Sequence, residues 1–165
     1  MDYHHFETLP SEDYDGVRTM ETLVHATDPL TVLKGFYHIL KPGGHLAMHD
    51  YDHFYELNEV IGTELAKLMK ELSEYGSMPT WQRAHRWCYN SLLKEAGFVD
   101  LKEHDYSENI RPMLRLFWWL AAIPYYIIVF FHLEKYFVNA IRGARGCYAQ
   151  KYWRYVAISA RKPEV

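Results

Sequence analysis

Glu21, Thr22 and His25 follow a short strand-like run, Tyr14 to Met20, and Asp50, Tyr51, Asp52 and His53 close a second one, His45 to Tyr51. Between the runs, Leu30, Leu33, Phe36, Tyr37 and Leu40 recur at spacings of three and four, the stripe of a helix with one buried face. Strand, helix and strand of this length form a parallel βαβ unit, and ligands in open α/β sheets sit at the carboxyl edge of the strands. Glu21, His25, Asp50 and Tyr51 are therefore the candidate catalytic residues. Imidazole and carboxylate can take a proton from a substrate, and carboxylates and aromatic faces suit a cation. Each has a structural alternative: Glu21 as the cap of the following turn, His25 as a satisfied structural side chain.

His49 to His53 could also be read as metal ligands. Strand alternation argues against it, because His49, Tyr51 and His53 point to one face while Asp50 and Asp52 point to the other. No metal site is expected. Cys88 and Cys147 are far apart with no CxxC pair, which disfavours a disulfide framework or thiolate zinc and fits a reducing compartment. The polar start, Met1 to Pro10, lacks the apolar run of a signal peptide, so the expected location is cytoplasmic.

Punctuation places the remaining elements. Thr27-Asp28-Pro29 signals a helix start with Asp28 as N-cap, and Lys41-Pro42-Gly43-Gly44 stops that helix. Val17 and Met20 are expected in the core. Helical patterns follow over Leu57 to Glu74 and Trp81 to Ala96, then strands over Phe98 to Tyr106 and Tyr152 to Ala160. Leu116 to Phe131 is free of charge but short for a membrane span and holds Pro124, so it predicts an aromatic-rich helical hairpin at a greasy boundary or over a substrate. A buried core helix fits the same run.

The chain has 165 residues with a formal charge of −3, one domain's worth with no basic field for nucleic acid. Its aromatic share, 16%, includes Trp81, Trp87, Trp118, Trp119, Tyr125 and Tyr126, which suit a pocket for a bulky apolar molecule or an ordinary core.

The run DGVRTMETLVHATDPLTVLKGFYHILKPGGHLAMHDYDH, Asp15 to His53, resembles the class I S-adenosylmethionine-dependent methyltransferases, and within them the sterol 24-C-methyltransferase and ubiquinone-type small-molecule group, fungal members included. YDGVRTMETLVH resembles the family's fourth strand and LKPGG the turn before its fifth. AGFVDLKEHDY and YWRYVAISARKP look like its antiparallel sixth and seventh strands. The resemblance implies an α/β fold: a partial Rossmann-like methyltransferase sheet, the family's strands four to seven, with an inserted aromatic-rich helical hairpin. It also implies one partial domain over 1–165, with a βαβ core to residue 56, helices and the sixth strand over 57–106, the apolar insert over 107–148 and the seventh strand beyond.

The cofactor so implied is S-adenosylmethionine, with Asp2 and Tyr3 flanking the adenine and Thr19, Met20 and Glu21 along the strand end. The implied activity is methyl transfer to a sterol, terpenoid or other bulky apolar secondary metabolite, with Glu21, His25, Asp50 and Tyr51 around the acceptor. The family's glycine-rich loop and ribose-holding acid lie upstream of the matched part, which predicts a truncated chain and an exposed edge on the family's fourth strand. A homo- or hetero-oligomer could form through that edge. The rival expectations are a non-catalytic protein that pairs with a full-length relative or an N-terminal half, and a protein peripheral to an internal membrane.

Overall fold

The computed structural model describes residues 3, 5–54, 63–133, 136–137, 141, 143–144, 146–147 and 149–164. In chain order these form β1 (Tyr14–Met20), α1 (Pro29–Ile39), β2 (Leu40–His53), α2 (Glu64–Tyr75), α3 (Cys88–Glu95), β3 (Val99–Asp105), α4 (Ser107–Phe130) and β4 (Trp153–Arg161). They build one four-stranded sheet in the order β1-β2-β4-β3, with β1 parallel to β2 and the other pairs antiparallel. The expected βαβ unit and the antiparallel return of the last two strands are both present.

α1 starts where its sequence says it should. The Asp28 carboxylate accepts the Thr31 amide at 3.2 Å, and Pro29 occupies a position whose amide would be unsatisfied anyway. β2 begins at Leu40, within the stretch expected as a turn, and its irregular start needs glycine: Gly43 has φ +77°, and a Cβ on Gly44 would lie 2.8 Å from the Lys41 carbonyl. The carboxyl end of α1 is closed by Lys162, whose Nζ donates to the Tyr37 and Leu40 carbonyls at 3.0 and 2.8 Å and to Glu12 at 3.2 Å. A cation there meets the negative end of the helix dipole.

One face of the sheet packs on α1 and α3 through Leu46, Met48, Val156 and Ile158 against Leu33, Phe36, Tyr89 and Leu93. Alternation turns Tyr51, Trp153 and Tyr155 to the other face, where a second cluster of Val24, Met69, Trp81, Ala149 and Trp153 joins α2 and the start of α4. On the first face Arg154 grips Asp52 with two guanidinium nitrogens, one at 2.9 Å, and reaches Glu103 at 3.1 Å. That buried cluster ties β2, β4 and β3 together.

Three sequence expectations are corrected. Met20 is half exposed, because β1 is an outer strand whose end stands clear of the core. The helix expected from Trp81 to Ala96 is a 3-10 turn, Trp81–Arg83, then a break, then α3. His85 makes a bridge to His53 of β2, with His53 N donating to Ala84 O at 2.9 Å, and Trp87 turns the chain at φ +69°. The hairpin expected around Pro124 is one continuous helix through Pro112 and Pro124. Proline removes one helical hydrogen bond, but Pro124 lies on the exposed side, where solvent can meet the freed carbonyl. α2 begins at Glu64; Val60 and Ile61 of the predicted helix lie outside the described residues.

Candidate active site

β1 ends in a turn that a left-handed residue creates. Glu21 has φ +52°, a conformation that costs a non-glycine residue energy, and its amide donates to His49 O at 2.7 Å. The chain then closes a 3-10 turn, Leu23–His25. The Leu23 and Val24 amides donate to Asp50 Oδ2 at 2.8 and 3.2 Å, and the Tyr51 amide donates to Oδ1 at 2.9 Å. Asp50 thus holds the turn that aims Glu21. Burial pushes its carboxyl up to about 6, against the three amides that favour the charged form.

Glu21 is exposed, and its carboxylate lies near enough to the Tyr51 and Tyr155 hydroxyls to act on both phenols. Burial, then Glu21, push both phenols above their ordinary range, so they remain protonated donors. The Tyr51 and Tyr155 rings meet at 5.1 Å, Trp153 stands edge-on to Tyr51 at 5.5 Å, and His49 stacks on Tyr155 at 6.0 Å. A carboxylate framed by aromatic rings is a fitting neighbour for a small cation.

The other predicted residues are placed differently. His25 is exposed, with Nδ1 on the Ser77 carbonyl at 2.8 Å. That bond, with Thr80 N on Val24 O at 3.2 Å and Arg83 on Thr27 O at 2.9 Å, staples the turn to residues 77–83. Thr19 is buried on β1 opposite Met48, and Met20 lies opposite His49. Tyr3 packs against the main core, and Asp2 lies outside the described residues. The sequence does not point to Tyr155 as a site residue, and it offers His49 only as a possible metal ligand. Tyr155 sits two positions after Trp153 in the last strand, but its place opposite Tyr51 is visible only once the register of β2 on β4 is known.

A cavity of about 550 Å³ lies beside this cluster, lined by Leu68, Trp118, Ala122, Tyr125, Ala149 and Tyr152 among others. Its volume and apolar walls are those of small-molecule sites. Leu68, Ala149 and Tyr152 belong to the same packed cluster as Tyr51 and Tyr155, so the cavity wall and the strand ends are continuous.

A family model described as a methyltransferase domain matches residues 1–48. The S-adenosyl-L-methionine-dependent Diels-Alderase iccD of Talaromyces variabilis is 36% identical over 166 aligned residues, covering 99% of this chain and 56% of that protein. This chain belongs to the class I S-adenosylmethionine-dependent methyltransferase family. Another family relative, the S-adenosyl-L-methionine-dependent Diels-Alderase iliD of Neonectria sp. (strain DH2), is 34% identical over 62% of this chain and 37% of its own length. Cycloartenol-C-24-methyltransferase 1 of Oryza sativa subsp. japonica is 31% identical over 63% of this chain and 30% of its own, in line with the sterol-type resemblance. The chain thus spans between about a third and just over half of these curated relatives. Among solved structures, the [4+2]-cyclase SpnF shares the methyltransferase fold at a TM-score of 0.68 and 18% identity, over 99% of this chain and 54% of that one.

Proposed function

We propose that this chain builds the substrate pocket and one side of the cofactor site in an S-adenosylmethionine-dependent enzyme of secondary metabolism that drives a [4+2] cyclisation of a bulky apolar small molecule. The observation that carries this reading is the 36% identity to a Diels-Alderase over nearly the whole chain, which takes in both the strand-end cluster and the helix that lines the cavity. Methyl transfer is the second reading, favoured by the methyltransferase-domain match across β1, α1 and the first part of β2.

The residues fit the cofactor's sulfonium. Glu21 would hold it, with Tyr51 and Tyr155 fixing the carboxylate and lending aromatic faces. When bound, S-adenosylmethionine supplies a methyl donor or a fixed positive charge. The apolar cavity excludes water and holds a flexible substrate folded, so that its reacting ends meet at high effective concentration. A phenol released from Glu21 can donate to a substrate carbonyl and draw electrons from a conjugated alkene, which assists cyclisation. For methyl transfer the Glu21 carboxylate is the base at hand. Asp50 acts through the turn, as a positioning residue.

The outer edge of β1, which pairs with nothing among the described residues, is where a further strand would add, from the same polypeptide or from another. The setting we propose is cytoplasmic.

Mass spectrometry of the full-length enzyme with a polyene substrate separates the two reactions. Cyclisation leaves the mass unchanged and forms no S-adenosylhomocysteine, whereas methyl transfer makes product and S-adenosylhomocysteine in equal amounts. Calorimetric titration with S-adenosylmethionine comes first: no heat from the full-length protein would leave the non-catalytic partner reading.

A further inference from the structure

α4 is apolar on two sides. Leu114, Trp118, Ala121, Tyr125 and Ile128 recur every three or four residues and are partly or wholly buried. A second stripe with the same spacing, Leu116, Leu120, Ile123, Ile127 and Phe130, stays open, with Ile123 72% and Phe130 76% exposed. Trp119 and Tyr126 widen it. An apolar face of this extent marks an interaction surface.

Two observations select its partner. Between Asn109 and Arg154 the sequence carries seven Lys and Arg and a single acid, Glu134, although the whole chain is at −3. Among the described cations of this stretch, Arg154 is buried on Asp52 and Glu103 and Arg111 pairs with Glu108, which leaves Arg115 and Lys151 for another partner. A cavity of about 490 Å³ near the amino-terminal half of α4 is lined by Arg111, Arg115 and Lys151 together with Trp118 and Trp119. Cations and indoles beside an apolar stripe match the layering of a bilayer boundary, with acyl chains against the stripe, indoles at headgroup depth and cations on phosphates.

Length decides how the helix meets the lipid. The charge-free part of α4, Leu116 to Phe130, makes about 22 Å of helix, short of the roughly 30 Å hydrocarbon core, and its inner side is partly buried in the fold, with Ile128 fully so. We propose that α4 docks this chain on an anionic phospholipid surface, its outer stripe in the acyl boundary and lipid phosphates held by Arg115 and Lys151. The proposal does not depend on which reaction the enzyme runs.

Flotation with vesicles of phosphatidylcholine alone, or mixed with phosphatidylglycerol, tests it. The chain should float with the mixed vesicles, release in high salt or carbonate, and bind neutral vesicles about thirtyfold more weakly. Ile123→Glu should abolish flotation with the circular dichroism spectrum unchanged; Leu116→Glu on the same stripe serves if that variant misfolds. Arg115→Gln with Lys151→Gln should erase the anionic preference and keep weak binding. Absence of flotation, indifference to both stripe variants, or retention after carbonate would overturn the proposal. So would a dimer that Ile123→Glu dissociates in a protein that binds no vesicles, which would assign the stripe to a second copy.

Discussion

Asp50 and Glu21 divide the labour at the strand ends, and pH separates them. The carboxyl of Asp50 moves from an ordinary 3.8 to about 6 because burial penalises its charge. A group whose folded pKa is raised stabilises the fold fully below its unfolded pKa, and that contribution is lost as pH rises through the folded value. Asp50→Asn should therefore gain stability relative to the parent between about pH 4 and pH 7.5, by about 2 kcal/mol. Urea titrations at the two pH values check this, and a difference that does not change with pH would refute it. Glu21→Gln should leave folding nearly untouched and weaken S-adenosylmethionine binding by about 10- to 100-fold in the full-length enzyme, read by calorimetry. The residue types at this edge were legible in the sequence, since strand ends of a βαβ unit collect ligands. Their division was not. Asp50 faces the backbone amides, His25 faces Ser77 O, and the phenol that joins Tyr51 on Glu21 comes from residue 155, across a strand pairing that local periodicity does not encode.

At the level of elements, capping signals read true and interruptions did not. Asp28-Pro29 and the glycines of the KPGG turn act through local geometry alone, so their meaning survives folding. Pro124 and the Trp81 to Ala96 stretch depend on what lies beside them. The bridge between His53 and His85 breaks a helix its own residues would have made, and an open side lets α4 run on past a proline. Pro124→Ala should accordingly restore one helical hydrogen bond and raise stability by about 1 kcal/mol or more, seen as a higher Tm by circular dichroism. A lower Tm would mean that Pro124 itself helps to seat Trp118 and Tyr125 against the cavity.

Across the whole molecule, the sheet order depends on one buried cation. Arg154 stands on β4 between the Asp52 side of β2 and the Glu103 side of β3, with the Trp87 ring 5.6 Å away. Arg154→Met would leave the buried Asp52 carboxylate without a partner and Glu103 with the Asn90 amide alone, and should cost about 3–5 kcal/mol in urea unfolding. Adding Asp52→Leu and Glu103→Gln should recover much of that loss, because a matched apolar replacement removes the uncompensated charge. The parallel and antiparallel plan was legible from turn spacing and the family resemblance; the charge cluster that locks it was not, because it joins residues a hundred positions apart.

Lys162 closes the end of α1 from 122 residues beyond Leu40, whose carbonyl it caps. During synthesis at about 5–20 residues per second, the first helix waits about 6 to 25 s for that lysine to emerge. Through that interval β1, α1 and β2 exist without their clamp and without β4, the strand that joins β2 to β3. Chaperone occupancy of the nascent chain should therefore fall only after the last strand has left the ribosome.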